Sequence, residues 1–102
     1  MPCLTMFLAK KEVFQWLKEG KKTIDVRKGK PRPGEVAVFT SGPHVLKMRI
    51  VEVRCGKLGE VVREDNFRQV IPSAANLEEA LGYVRGIYGG YDGVFTAYSV
   101  AP

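Results

Sequence analysis

Four ionisable side chains, Lys21, Lys22, Asp25 and Arg27, fall inside the stretch Gly20-Lys21-Lys22-Thr23-Ile24-Asp25-Val26-Arg27. A lysine held away from water binds its proton less tightly. It can then act as a base, or as a hydrogen-bond donor in a pocket. A neighbouring carboxylate can exchange a proton with it during a hydrolysis. The same residues admit a plainer reading. A lysine at a strand start can snorkel to water along its aliphatic stem. Asp25 and Arg27, two apart, can pair with each other, and such a pair contributes little when exposed.

Other reactive groups are sparse. His44 is the only histidine, and between Pro43 and Val45 it reads as a surface side chain. Cys3 and Cys55 lie far apart in the sequence and do not make a disulfide framework. One histidine and two distant cysteines give no zinc-ligand spacing. There is no Gly-rich phosphate loop and no dinucleotide fingerprint. The chemistry is therefore expected to run without a metal or a cofactor.

Periodicity places the charged stretch between a helix and a strand. In residues 10–19, Val13, Phe14 and Leu17 recur with Ala9 at helical spacing. Gly20 suits the left-handed position just past a helix end. Trp16, at the margin of that stripe, is either a partly buried core residue or a platform on which a base stacks. Residues 22–27 then alternate. Lys22 shares the parity of Ile24 and Val26, the inward face, while Thr23, Asp25 and Arg27 share the other. One pocket holding both Lys22 and Asp25 then needs the strand to twist or bulge.

The rest of the chain supplies the frame. Residues 3–8 read as a strand apolar on both faces, which predicts that it is covered on both sides. Further strands are expected over 36–40, 45–54 and 94–100, with turns at Pro31 to Gly34 and at Ser41-Gly42-Pro43. In the long strand the apolar parity flips at Ile50-Val51, which predicts a β-bulge. Residues 57–71 read as a short helix or an irregular segment. Asn76 caps a helix with Glu79 at the capping-box position, and Leu77, Ala80, Leu81, Val84 and Ile87 form its buried stripe up to Gly89. This order predicts an α+β fold, a small curled β-barrel flanked by helices, as one domain over 1–102.

With 102 residues, 45% of them apolar, the chain can bury a real core. No apolar run is long enough to cross a bilayer, and the N-terminus lacks the charged start of a signal peptide. The expected compartment is the cytoplasm, with no membrane partner. Net charge is +5, and all of the excess lies early. Residues 1–34 carry nine basic against three acidic side chains, and the remainder seven against eight. That asymmetry favours a polyanion such as RNA, or else marks a solvated basic surface.

The pattern Gly20-x-Lys22-x-x-Asp25-x-Arg27, after a short helix and before Pro33-Gly34-Glu35-Val36, resembles the signature of the ASCH family. These domains are homologous to part of activating signal cointegrator 1 and have a PUA-like β-barrel. Asp25 stands where the family usually has Glu. The Ile50-Val51-Glu52-Val53 strand, the helix ending Ile87-Tyr88-Gly89 and the last strand with Tyr98 are also similar, so the resemblance spans nearly the whole chain. It implies a cleft lined by the motif lysine and a nucleic-acid partner. One bacterial branch removes the acetyl group from acetylated cytidine with a lysine, a threonine and a glutamate. By that resemblance the lysine is Lys22, Asp25 stands at the threonine position, and the glutamate position falls near Ser73.

Two functions follow as expectations. In the first, an RNA-binding domain contacts phosphates through Lys18, Lys21, Arg27, Lys28, Lys30 and Arg32. A base then sits near Lys22, Thr40, Ser41 and Tyr98. In the second, a small hydrolase of a modified nucleoside uses Lys22 as its central group and Asp25 as partner. A third possibility is a domain that uses the barrel for protein contacts.

Overall fold

A computed structural model describes residues 2–102. Its elements are β1 (Leu4–Leu8), α1 (Lys11–Lys18), β2 (Ile24–Lys28), β3 (Val36–Ser41), β4 (His44–Gly56), α2 (Leu58–Val61), α3 (Phe67–Val70), α4 (Leu77–Ile87) and β5 (Phe95–Ala101). The strands form one curled half-barrel sheet in the order β1-β3-β4-β5-β2. Only β1 and β3 run parallel; the other pairs are antiparallel. The architecture is α+β, as expected. Among the described residues no helix is long and apolar enough to cross a membrane.

α1 fills the concave face. Its stripe Val13, Phe14 and Leu17 packs on Phe7, Phe39, Met48 and Tyr98 of the sheet. Gly20, at φ +78, reverses the chain directly after α1. The amides of Lys21 and Lys22 return to the Trp16 carbonyl at 3.0 and 3.1 Å. Trp16 is half-buried at the boundary of the two apolar clusters. α2, α3 and α4 cover the opposite face of β2 and β5, where Val62, Val70 and Val84 meet Val26, Phe95 and Ala97. β5 is therefore buried on both sides, and its inward Tyr98 and Val100 alternate with Ala97 on the helical side.

The parity flip in β4 is a register shift against β5 between Ile50 and Glu52, the expected bulge. Asn76 caps α4 by accepting from the Glu79 amide, while Glu79 reaches back to the Ala75 amide. β1 differs from expectation. It is an edge strand paired only with β3, and its outer side chains Leu4, Met6 and Leu8 are exposed. An apolar pattern on both faces reads as double coverage, but here only the inner face, with Thr5 and Phe7, is buried.

The two edge strands approach one another as the sheet curls. No backbone ladder joins them. Instead Arg27 of β2 donates from Nη1 to the Leu8 carbonyl at 2.8 Å, and Arg32 donates from Nη1 to the Met6 carbonyl at 2.9 Å. Both guanidinium groups lie over the Phe7 ring, at 4.6 and 4.9 Å from its centroid.

Candidate functional site

Lys22 lies before β2 begins. The turn at Gly20 aims its side chain under the neighbouring helices. Its Nζ donates to the Ile24 carbonyl at 2.8 Å and to the Val70 carbonyl, at the end of α3, at 2.5 Å. An ammonium has three donors, so one N–H is left over. Only 3% of Lys22 and 3% of Asp25 is exposed. Burial pushes the Lys22 amine down from 10.5 to about 8, the Asp25 carboxylate opposes this, and the Arg27 guanidinium adds to it.

Asp25 Oδ2 accepts from Arg27 Nε at 2.5 Å, so the pair expected from their spacing forms, and it forms inside the protein. A cavity of about 80 Å³ is lined by Lys22, Asp25 and Arg27 together. The expectation that these residues divide between two faces is thus corrected. The cavity runs along the edge of β2, where residues of either parity reach it, and Val26 lines it as well. Ala9 and Val13 close one side, Val70 and Ile71 another, and Tyr83 and Val84 of α4, with Tyr88 just past its end, a third. One enclosed water needs roughly 10–15 Å³ by such a measure, so the space has room for several waters or one small group.

Two tyrosines that the sequence did not single out stand in its wall. Tyr83 donates to Glu12 Oε1 at 2.9 Å and thereby ties α4 to α1. Burial and the Glu12 carboxylate push its phenol up to about 12. Lys10, also in the wall, sits 5.6 Å over the Tyr83 ring. The Tyr88 phenol is raised mainly by burial, and its hydroxyl lies 3.5 Å from the Val26 carbonyl. Both tyrosines flank the apolar stripe of α4, which is the signal the sequence held for them.

The remaining expected contacts lie elsewhere. Tyr98 is only 1% exposed, inside the barrel, 5.0 Å from the Phe7 ring, and its hydroxyl accepts from the Arg32 amide. Its place on the inner face of β5 denies it to any base. Thr40 and Ser41, at the end of β3, do not line the cavity, and exposed Ser73 does not either. Lys28, the last residue of β2, and Lys30, on the loop after it, are exposed, with Lys28 Nζ 4.8 Å over the Tyr91 ring. Arg32 is exposed on the same loop but bonded to β1. Lys21 pairs with Glu19 at 3.4 Å, and Lys18 faces an open groove beside Lys47. His44 stands apart, exposed against Phe14. Cys3 and Cys55 are free thiols.

A larger open groove of about 370 Å³ lies between β4, β5 and the α2–α3 connection. Its charges pair among themselves, Arg54 with Glu52 at 3.4 Å and Arg63 with Asp65 at 3.3 Å. The buried charges belong to the smaller cavity. Among the described residues no group of three metal-ligating side chains occurs.

No family model matches the chain, and no curated protein matches it. Among solved structures, the crystal structure of a hypothetical protein, PH0355, superposes with a TM-score of 0.77 at 22% identity. The match covers 97% of this chain and 98% of that one, so the same fold accounts for both from end to end.

Proposed function

We propose that this chain is an ASCH-type RNA-binding module of the cytoplasm that takes one base in the Lys22 cavity and phosphates on the loop after β2. The observation that carries this reading is the burial of an ammonium, a carboxylate and a guanidinium around one cavity, beside Lys28 at the end of β2 and the following loop with Lys30 and Arg32. Burying charge is costly to the fold, and clefts that hold such groups are the usual place for ligand recognition. The spare N–H of Lys22 offers a donor to a ring nitrogen or carbonyl. The Asp25 carboxylate offers an acceptor to an exocyclic amine. The exposed lysines add sequence-independent affinity through phosphate contacts.

Titration of a fluorescein-labelled single-stranded RNA at several salt concentrations tests this. Each lysine that meets a phosphate contributes about 0.7 to the slope of log affinity against log salt. Lys28→Ala and Lys30→Ala should each flatten the slope by that amount. Affinity indifferent to salt, or an unchanged slope in both variants, sinks the reading.

A second reading rests on the lowered Lys22 proton affinity. With a value of about 8, about a tenth of the side chain is a free amine at pH 7, beside a carboxylate that can carry a proton. That suits a hydrolase of a modified nucleoside such as acetylated cytidine. Release of acetate from acetylcytidine, followed by mass, is the measurement. No turnover, or full turnover in Lys22→Met, removes this alternative.

A further inference from the structure

The convex face of β1, β3 and β4 breaks the usual rule for a half-exposed sheet. Such a sheet alternates apolar inward with polar outward. Cross-strand partners share a face. The outward rows here are Leu4–Val36–Arg49, Met6–Val38–Lys47 and Leu8–Thr40–Val45. Six of these nine side chains are aliphatic; Val38 at the centre is buried among its neighbours, while Leu4, Met6, Leu8 and Val45 around it are exposed. Leu8 is 81% exposed and Met6 58%. Scattered apolar side chains need no explanation, but a contiguous patch of this kind marks a contact surface.

The surroundings select the occupant. Lys47 and Arg49 line one margin of the patch, on β4. Arg32 closes the free edge of β1 instead, bonded to the Met6 carbonyl with its guanidinium over the inward Phe7 ring. No acidic side chain lies among the nine positions, and exposed Glu35 stands beyond the Leu4 row. The arginines also cap the Met6 and Leu8 carbonyls, so an incoming strand cannot extend the sheet along β1. The partner must lie on the face. Three strands span about 10 Å and three rows about 14 Å, which is the width of one helix and the length of two to three turns. A second copy of the chain would bring basic margins together over a patch well below the roughly 800 Å² per partner of a stable interface.

We infer that this face docks an acidic amphipathic helix of a partner protein, with aliphatic side chains on Leu4, Met6, Leu8 and Val45 and carboxylates toward Lys47 and Arg49. The inference does not rest on RNA binding, although Leu8 also stands in the wall of the Lys22 cavity. The probe is a synthetic helical peptide of about 14 residues, Leu on one face and Glu on the other, with a twin carrying Lys for Glu. Methyl NMR of the full chain follows Met6, Leu8 and Val45. The Glu peptide should shift these methyls with a dissociation constant of about 100 μM, as befits a small contact. Lys47→Glu with Arg49→Glu, or Leu8→Ser, should weaken it about tenfold or more. Leu8 is exposed, so Leu8→Ser should keep the wild-type unfolding midpoint. Equal binding of the Lys twin, shifts confined to other methyls, or no shift at millimolar peptide would overturn the inference. So would preferential binding to phosphatidylglycerol vesicles, or self-association through this face.

Discussion

Lys22 is held by two carbonyl oxygens from different elements, Ile24 in β2 and Val70 at the end of α3. Its charge is both a structural tie and a cost. Burial lowers its proton affinity in the folded chain from 10.5 to about 8. Between those values the unfolded chain binds more protons than the folded one, so stability rises with pH across that window. It is lost again as pH falls through about 8, and below that the penalty is fully present. At about 1.4 kcal/mol per pH unit, the rise amounts to about 3 kcal/mol. Urea unfolding of wild type and Lys22→Met at pH 7.5 and at pH 10 should show wild type gaining on the variant by an amount of this order. Parallel pH profiles would mean that the side chain reaches water. Asp25 gives the complementary case. Asp25→Ala leaves Arg27 half-buried without its carboxylate, and removing one member of a buried pair costs about 3–5 kcal/mol. A loss below about 1 kcal/mol in urea unfolding would place the pair on the surface instead.

At the level of elements, legibility followed local rules. α1 announced itself by the spacing of Val13, Phe14 and Leu17, and the Asn76 cap and the β4 bulge were likewise written in neighbouring residues. Lys22 is buried on the side of Ile24 and Val26, as its parity predicts, but the cavity it shares with Asp25 was not legible, because alternation describes residues in a ladder and the ladder begins at Ile24. β1 was recognised as a strand but not as an edge, since strand order depends on distant pairing with β3. Tyr83 and Tyr88 went unnoticed for the same reason: a helix margin gains meaning only from what packs beside it. Two glycines separate backbone need from packing need. An added Cβ at Gly20 meets nothing within 4 Å, so Gly20→Ala should cost about 1 kcal/mol through its positive φ alone. At Gly34, φ +154, the Cβ would also stand 3.2 Å from the buried Thr5 Cβ. Gly34→Ala should therefore destabilise more than Gly20→Ala, and the order of their urea midpoints checks this.

In the whole molecule the half-barrel leaves a seam between β1 and β2, and guanidinium groups close it. Arg27 and Arg32 supply hydrogen bonds to alternate carbonyls of β1 that a neighbouring strand would otherwise supply, and both stack on Phe7. The cavity of Lys22 and Asp25 opens along this same seam, with Leu8 and Arg27 in its wall. Basic residues concentrated in the first third of the chain thus do two jobs. Some close the fold, and others remain free for a polyanion. Composition alone could not separate them, because a bonded arginine and a free lysine count equally toward +5. Variants can. Arg27→Met with Arg32→Met should open the seam. Arg27→Met leaves buried Asp25 without its partner, at a cost of about 3–5 kcal/mol, and the bond of exposed Arg32 adds about 1 kcal/mol, so the double variant should lose about 4–6 kcal/mol. In a domain of this size that corresponds to a fall in melting temperature of about 20 °C or more. Amide exchange should speed up along β1 and β2 before it does in β5, which is buried on both faces. A uniform acceleration across the sheet would show that the seam carries no separate load, and Lys28→Ala with Lys30→Ala should leave the melting temperature within about 2 °C while still weakening RNA binding.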